Sequence, residues 1–254
     1  MDRVAELTGA RLTATFGRVG GLNRDLPDGW TELRPQVAWT RSTSCSARST
    51  GCSPANRIFV DRTRRHRRHH RQDALDFGFT GPCLRANGVA YDVRKAQPYW
   101  VYDRMEFDVP VGPERRQLRP LPHADGGDEA VERIVRQALK QIPPGPIIVD
   151  DWRIALPPKA EVYGTIEGVI AHFKLVMEGV PVPPGELYDG TEAANGELGW
   201  YLVSDGSGRP YKVHVRAPGF AILSGVPRMI EGRMLADLIP TFDTINMIGG
   251  EVEQ

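Results

Sequence analysis

Cysteine and histidine are the residue types best suited to hold a metal ion or attack a substrate, and this chain distributes them unevenly. It has three cysteines, Cys45, Cys52 and Cys83, and six histidines. Three of those, His66, His69 and His70, crowd into one basic stretch. Thiolates and imidazoles at zinc spacing would build a structural metal site. Here six residues separate Cys45 from Cys52, and the crowded imidazoles complete no standard ligand set. The run Arg62-Thr-Arg-Arg-His-Arg-Arg-His-His-Arg71 offers phosphate contacts instead. It lacks interleaved aromatic rings and a basic domain around it, which argues against a nucleic-acid groove. Three irregularly spaced cysteines also make no disulfide framework.

The elements that must position any chemistry are clearest in the C-terminal third. Trp200 and Leu202 alternate with Tyr201 and Val203, then comes Asp205-Gly206-Ser207-Gly208, then Tyr211, Val213 and Val215 alternate again. That pattern predicts two strands joined by a tight turn, with Lys212, His214 and Arg216 on the opposite face of the second. Pro218 and Gly219 end the second strand and lead into another segment. Taken alone, this is an ordinary hairpin.

Two helices stand out by period. Val131, Ile134, Val135, Ala138, Leu139 and Ile142 predict a helix over 128–142, with Asp128 and Glu129 in its first turn and Pro143-Pro144 as its stop. Ile166, Val169, Ile170, Phe173, Val176 and Met177 form the stripe of a second, from about Thr165 to Glu178, terminated by Gly179 and Pro181. His172 faces away from that stripe and reads as a surface or interface residue. Arg233-Met-Leu-Ala-Asp-Leu-Ile239 predicts a short final helix ended by Pro240. Residues 1–33 read as a helix end, a glycine-rich loop over Gly17–Gly21 and a second helix start. Residues 73–122 read as loop-rich, and internal repeats are absent.

Composition bounds the function. The 254 residues carry 32 basic and 32 acidic side chains, so no global field recruits nucleic acid or an anionic surface. No apolar run approaches the roughly 18 residues that span a bilayer, and the N-terminal segment lacks a signal-peptide core. The expectation is a chain of a reducing compartment that meets a membrane through partners.

Several separated strings carry a resemblance. They are Leu7-Thr-Gly-Ala-Arg11, Arg18-Val-Gly-Gly21, Asp25-Leu-Pro-Asp-Gly-Trp30, Gly81-Pro-Cys-Leu-Arg85, Gly88 to Tyr99, Phe107 to Gly112, His172 to Gly179, Val182 to Glu186, Gly196 to Gly219 and Glu231 to Asp237. In this order they resemble the NuoD-type subunit of NADH:quinone oxidoreductase, respiratory complex I, over most of the chain. The resemblance implies an α+β fold, a helical bundle remnant packed with a small antiparallel C-terminal sheet, as one domain over 1–254. Within it, 1–33 and 73–180 form the helical and loop core, and 184–254 form the hairpin and tail.

It further implies that the chain binds no cofactor of its own. Flavin mononucleotide and iron–sulfur clusters belong to partner subunits, and quinone is the substrate. The implied partners are the subunit holding the terminal iron–sulfur cluster and the membrane-arm subunit at the quinone entry, with no nucleic acid. The implied location is peripheral, on the cytoplasmic side of the inner (plasma) membrane. Reduction of quinone in the shared cavity would drive proton translocation.

Departures from the family pattern matter as much. The family's quinone contacts, a His and a Tyr, are expected before the point where this chain begins. A His near the cluster is Thr13 here. The tail Asn246-Met-Ile-Gly-Gly-Glu-Val-Glu-Gln254 stands where the family carries an Asp at 246, a Val at 248 and a Phe at 249. Glu251 keeps the family's residue, and the resemblance implies that this tail lines the inner cavity, so Asn246, Ile248 and Glu251 are the quinone-cavity candidates; the loss of a carboxylate and a ring leads us to expect impaired quinone handling. The related [NiFe]-hydrogenase large subunits are excluded, because they need two Cys-x-x-Cys pairs and this chain has none.

Residues 34–72 do not fit. Written in GC-rich codons and advanced two bases, Arg41–Pro54 can read as an amphipathic, Leu-rich helix. Arg65–Gln72 advanced one base reads as a family-like apolar peptide. We expect a frame-shifted translation here, costing the fold a bundle helix, since Arg41-Ser-Thr-Ser-Cys-Ser46 has no apolar stripe. A non-catalytic assembly or scaffold protein is the alternative function, and a nucleic-acid-binding module through residues 62–71 a more distant one.

Overall fold

The computed structural model describes residues 2–11, 14–30, 71–111, 121–246 and 248–253. The readings on Thr13, on Cys45, Cys52, His66, His69 and His70, and on the frame of residues 34–70 lie outside the described residues. The architecture is α+β, as expected, with short helices and a three-stranded sheet whose strands lie in chain order. The chain divides into two compact units.

The first unit comprises Met1–Ala38, Gln141–Leu187 and Leu202–Val213. It opens with α1 (Asp2–Thr8) and a two-residue antiparallel ladder, β1 (Gly17–Arg18) with β2 (Gly21–Leu22). Gly21 has φ +152° and lies so close to the Ile147 carbonyl that an added Cβ would collide with it. The glycine-rich loop is thus a place where two backbones meet: Leu22 N–H donates to Ile147 O at 2.9 Å and Val149 N–H to Gly20 O at 2.8 Å. Helix α6 (Lys159–Gly164) runs into α7 (Ile166–Met177). Thr165 caps α7, its hydroxyl accepting from Gly168 N–H at 3.1 Å. Gly179 and Gly208 then sit back to back, so the hairpin turn closes on the end of α7 with no room for a side chain on either residue.

The second unit comprises Trp39–Lys140, Tyr188–Tyr201 and His214–Gln254. The span read as loop-rich holds three short helices, α2 (Arg71–Asp76), α3 (Gly81–Ala86) and α4 (Val93–Ala96), and a 3-10 turn at Tyr102–Arg104. Pro82 sits in the first turn of α3, where its missing N–H leaves nothing unpaired. Asp92 caps α4 by accepting from Arg94 N–H. The long helix α5 (Leu121–Gln141) starts seven residues before its predicted start, because Pro122 falls in its first turn and starts the helix rather than breaking it. It stops before Pro143 as expected.

Strands β3 (Gly185–Ala193) and β4 (Gly196–Ser204) meet through the two-residue turn Ala194-Asn195, and β5 (Lys212–Arg216) follows the Asp205–Gly208 turn. The first of these strands went unread in the sequence. Helices α8 (Pro218–Ser224), α9 (Val226–Ile230) and α10 (Leu238–Thr244) complete the unit. Pro240 does not end a helix, contrary to expectation. It lies within the first turn of α10, whose N–H groups have no intrahelical partner in any case. The core of this unit joins Ala74, Phe79 and Leu84 to Ile222, Val226 and Ile245. A smaller cluster gathers Met105, Phe107 and Ile134.

Candidate functional site

The three tail residues named from sequence lie in the second unit, where two of them act as anchors. Asn246 has φ +48°, a left-handed conformation that asparagine tolerates better than other side-chain-bearing residues. Its side-chain Nδ2 donates to Asn195 Oδ1 at 2.6 Å, and Asn195 Nδ2 donates back to the Asn246 carbonyl at 2.9 Å. Asn195 is buried, only 5% exposed, in the β3–β4 turn. Glu251 belongs to a 3-10 turn, Gly249–Glu251, and its Oε2 accepts from Gly219 N–H at the start of α8 at 2.8 Å. A Cβ on Gly219 would occupy the place of that carboxylate oxygen. Between the two anchors, Ile248 holds its side chain 48% exposed.

A polar framework fixes the turn that receives Asn246. Arg85 Nη1 reaches Glu192 Oε1 at 2.7 Å and Asp92 Oδ2 at 3.4 Å, while Asp92 also takes Arg94 through Nε at 2.9 Å and Nη2 at 2.7 Å. Glu192 accepts in addition from Val93 N–H at 3.3 Å, and its own N–H donates to Tyr99 Oη at 3.0 Å. Two guanidinium groups thus balance two carboxylates, all four little exposed. Burial alone would raise the Asp92 carboxyl, but hydrogen bonds and charge from Arg94, with Arg85 behind them, hold it below the usual carboxylate range. Arg94 also lies over the Phe107 ring at 5.0 Å.

One step along β4, Glu197 forms a second node. Its Oε1 accepts from Tyr188 Oη at 2.7 Å and its Oε2 from Tyr91 Oη at 3.4 Å. Burial, then the hydrogen bond and charge of Glu197, push the Tyr188 phenol up to about 12, so it stays a proton donor. Arg216, on the hairpin face singled out from sequence, is fully engaged: Nη1 donates to Thr80 Oγ1 and the Glu197 carbonyl, and Nη2 to the Gly78 carbonyl at 2.6 Å. Lys212 and His214 remain exposed, and His172 is half-buried.

These groups hold backbone in place and present no nucleophile. Cys83 is free, and burial pushes its thiol up to about 11, which leaves it unreactive at neutral pH. Among the described residues no group of three or more His, Cys, Asp or Glu side chains is arranged to hold a metal ion. A shallow depression of about 320 Å³ opens beside Glu106, Phe107, Asp108, Arg133 and Gln137, apart from the tail residues.

The family model described as the respiratory-chain NADH dehydrogenase 49 Kd subunit matches residues 1–254. The chain belongs to this family. It is 64% identical to the D-type subunit of the NADH-quinone oxidoreductase of Myxococcus xanthus (strain DK1622), over all of this chain and 61% of that one. Against the second D-type NADH-quinone oxidoreductase subunit of Anaeromyxobacter sp. (strain K) the identity is 56%, over all of this chain and 58% of the relative. The combined C/D-type NADH-quinone oxidoreductase subunit of Bdellovibrio bacteriovorus (strain ATCC 15356 / DSM 50701 / NCIMB 9529 / HD100) is 45% identical over 98% of this chain and 44% of its own length. The chain thus spans about three fifths of the first two relatives' length.

The tail residues were named from sequence through the resemblance alone, Asn246 and Ile248 at departures from the family pattern and Glu251 at a retained position. Asn195, Glu192 and Asp92 were missed. Asp92 lies inside one of the strings that carried the resemblance, and Asn195 directly precedes another, yet only the fold reveals that Arg85 meets a partner 107 residues away.

Proposed function

We propose that this chain serves as the D-type component of an NADH:quinone oxidoreductase and supplies part of the wall of its quinone cavity. Asn246, Ile248 and Glu251 would line that cavity together, Ile248 facing the quinone and Asn246 and Glu251 tying the wall to Asn195 and to Gly219 N–H. Electrons would arrive one at a time from an iron–sulfur cluster on a partner subunit, with flavin mononucleotide on another. Quinone takes two electrons and two protons to become quinol, so this chain need supply only shape, hydrogen bonds and a water-excluding surface. In the complex it would sit peripherally on the cytoplasmic side of the membrane. Quinone reduction would be coupled to proton translocation by the membrane-arm partners.

The observation that carries this reading is the tail between Asn246 and Glu251. It is tied at both ends, to Asn195 and to Gly219 N–H, while Ile248 between them stays exposed. An exposed apolar side chain beside two anchored residues suits a wall that receives a flat, largely apolar head group. No helix among the described residues is long and apolar enough to cross a membrane.

The test is purification from membranes through this chain. Co-purification of an iron–sulfur subunit with inhibitor-sensitive NADH:quinone reduction is the expected result, and Ile248→Asp should raise the KM for quinone about tenfold or more, since a carboxylate replaces apolar wall. Partner binding without activity would turn the reading into an assembly scaffold.

A further inference from the structure

Among the described residues, the Asn195–Asn246 pair is where a buried side chain outside the tail fixes the conformation of the tail itself. Asn195 uses both ends of its amide on a single residue, accepting from Asn246 Nδ2 at 2.6 Å and donating to Asn246 O at 2.9 Å. The residue it grips has φ +48°, so the contact specifies a backbone turn that an unrestrained chain seldom visits. Met247 to Val252 follow directly, and Ile248 is exposed two residues on.

The pair also bears on the departure seen in the sequence. The resemblance implies a carboxylate at 246, and a carboxylate has no proton to give to Asn195 Oδ1. An amide at 246 does. Asn246 therefore matches Asn195 donor to acceptor.

We infer that Asn195 is a positioning residue for quinone binding, acting through Asn246 to set the wall formed by the tail. This rests on the cavity reading proposed above. Glu192 and Glu197, which flank Asn195 on β3 and β4, are engaged by Arg85 and by Tyr188 and Tyr91. Glu251, at the far end of the tail, is engaged by Gly219 N–H. Each of these neighbouring carboxylates has its own partner, and among the described residues Asn195 is the side chain that engages the Asn246 amide.

The isosteric variant Asn195→Asp gives a test that a merely structural role would not satisfy. Its ionised carboxylate would still accept from Asn246 Nδ2 but would set a second oxygen against the Asn246 carbonyl, acceptor against acceptor. Protonated, the same group donates to that carbonyl and restores the original pattern. In membranes bearing the assembled complex, we expect Asn195→Asp to raise the quinone KM about tenfold over wild type near pH 8, with kcat little changed, for loss of a buried hydrogen bond to repulsion. The ratio to wild type should shrink toward one as the pH falls to roughly 5.5, because burial and the facing carbonyl raise a carboxyl's pKa. Asn246→Gly keeps the left-handed backbone while removing the side-chain donor, and should raise KM about fivefold at every pH.

A KM for Asn246→Gly equal to wild type overturns the inference, whether or not Asn195→Asp assembles. So does an Asn195→Asp effect that is independent of pH. The Ile248→Asp variant separates the two levels: if it raises KM while the asparagine variants are silent, the positioning role fails and the cavity reading stands. If all three are silent, the cavity reading fails with it.

Discussion

Asp92 shows how much one buried carboxylate can decide. It is 2% exposed, accepts three hydrogen bonds from Arg94 and faces Arg85. Its folded-state pKa lies below the unfolded value, so its contribution to stability is complete above about pH 4 and is lost as pH falls through the folded value. Asp92→Asn leaves Arg94 without its partner and Arg85 with Glu192 alone. Such a break costs about 3 kcal/mol at neutral pH. Denaturant midpoints taken from pH 7 downward should show the two proteins converging below about pH 4. Parallel curves would mean that Asp92 is not the group that titrates. None of this was legible beforehand. Asp92 and Arg94 are adjacent enough in sequence to suggest a cap, but Glu192 and Asn195 enter from a hairpin a hundred residues on, and no local pattern encodes that meeting. Asn246 and Glu251 were legible as candidates only through the family pattern, and their anchoring roles were not legible at all.

Individual elements were legible in proportion to how local their signals are. Helix α7 needs only its own residues: Thr165 as cap, a 3.6-residue apolar period, and Gly179 as stop, and its observed bounds fall within a residue of the expected ones. Thr165→Ala should cost about 1 kcal/mol in urea unfolding, and Thr165→Gly only a few tenths, because glycine leaves the Gly168 N–H open to water. Equal losses for both would show that water does not replace the lost cap at the Gly168 N–H. Where elements escaped, a residue's usual meaning was reversed by its position. Pro240 read as a breaker, yet it falls in a first helical turn that has no hydrogen bond to lose, as Pro122 does at the start of α5. Strand β3 carries Gly185, Glu186, Asp189 and Gly190, residues depleted in strands, and is drawn into the sheet by its pairing with β4. The amphipathic logic also met a limit. The α7 stripe, expected to be covered, stays open, with Ile166 75% and Phe173 58% exposed, and Val131 and Val135 of α5 are exposed as well.

Those open faces and the charge balance combine at the scale of the whole chain. With 32 basic and 32 acidic groups the net charge is zero at neutral pH, and the isoelectric point is near 7.0. A protein without net charge has no long-range repulsion to keep copies apart, and exposed apolar stripes then supply the attraction. The isolated full chain should therefore associate most strongly near pH 7. Raising the pH toward about 9 makes the chain negative and should disperse it. Lowering the pH toward about 5 makes the chain positive and should disperse it too, since Asp92, with its depressed pKa, stays ionised there and keeps its contribution to the fold. Light scattering across that range should show a solubility minimum near neutrality. The double variant Ile170→Ser/Phe173→Ser should lift that minimum while shifting the melting temperature little, because both side chains already lie half in water. A minimum that the double variant leaves untouched would place the attraction elsewhere on the molecule.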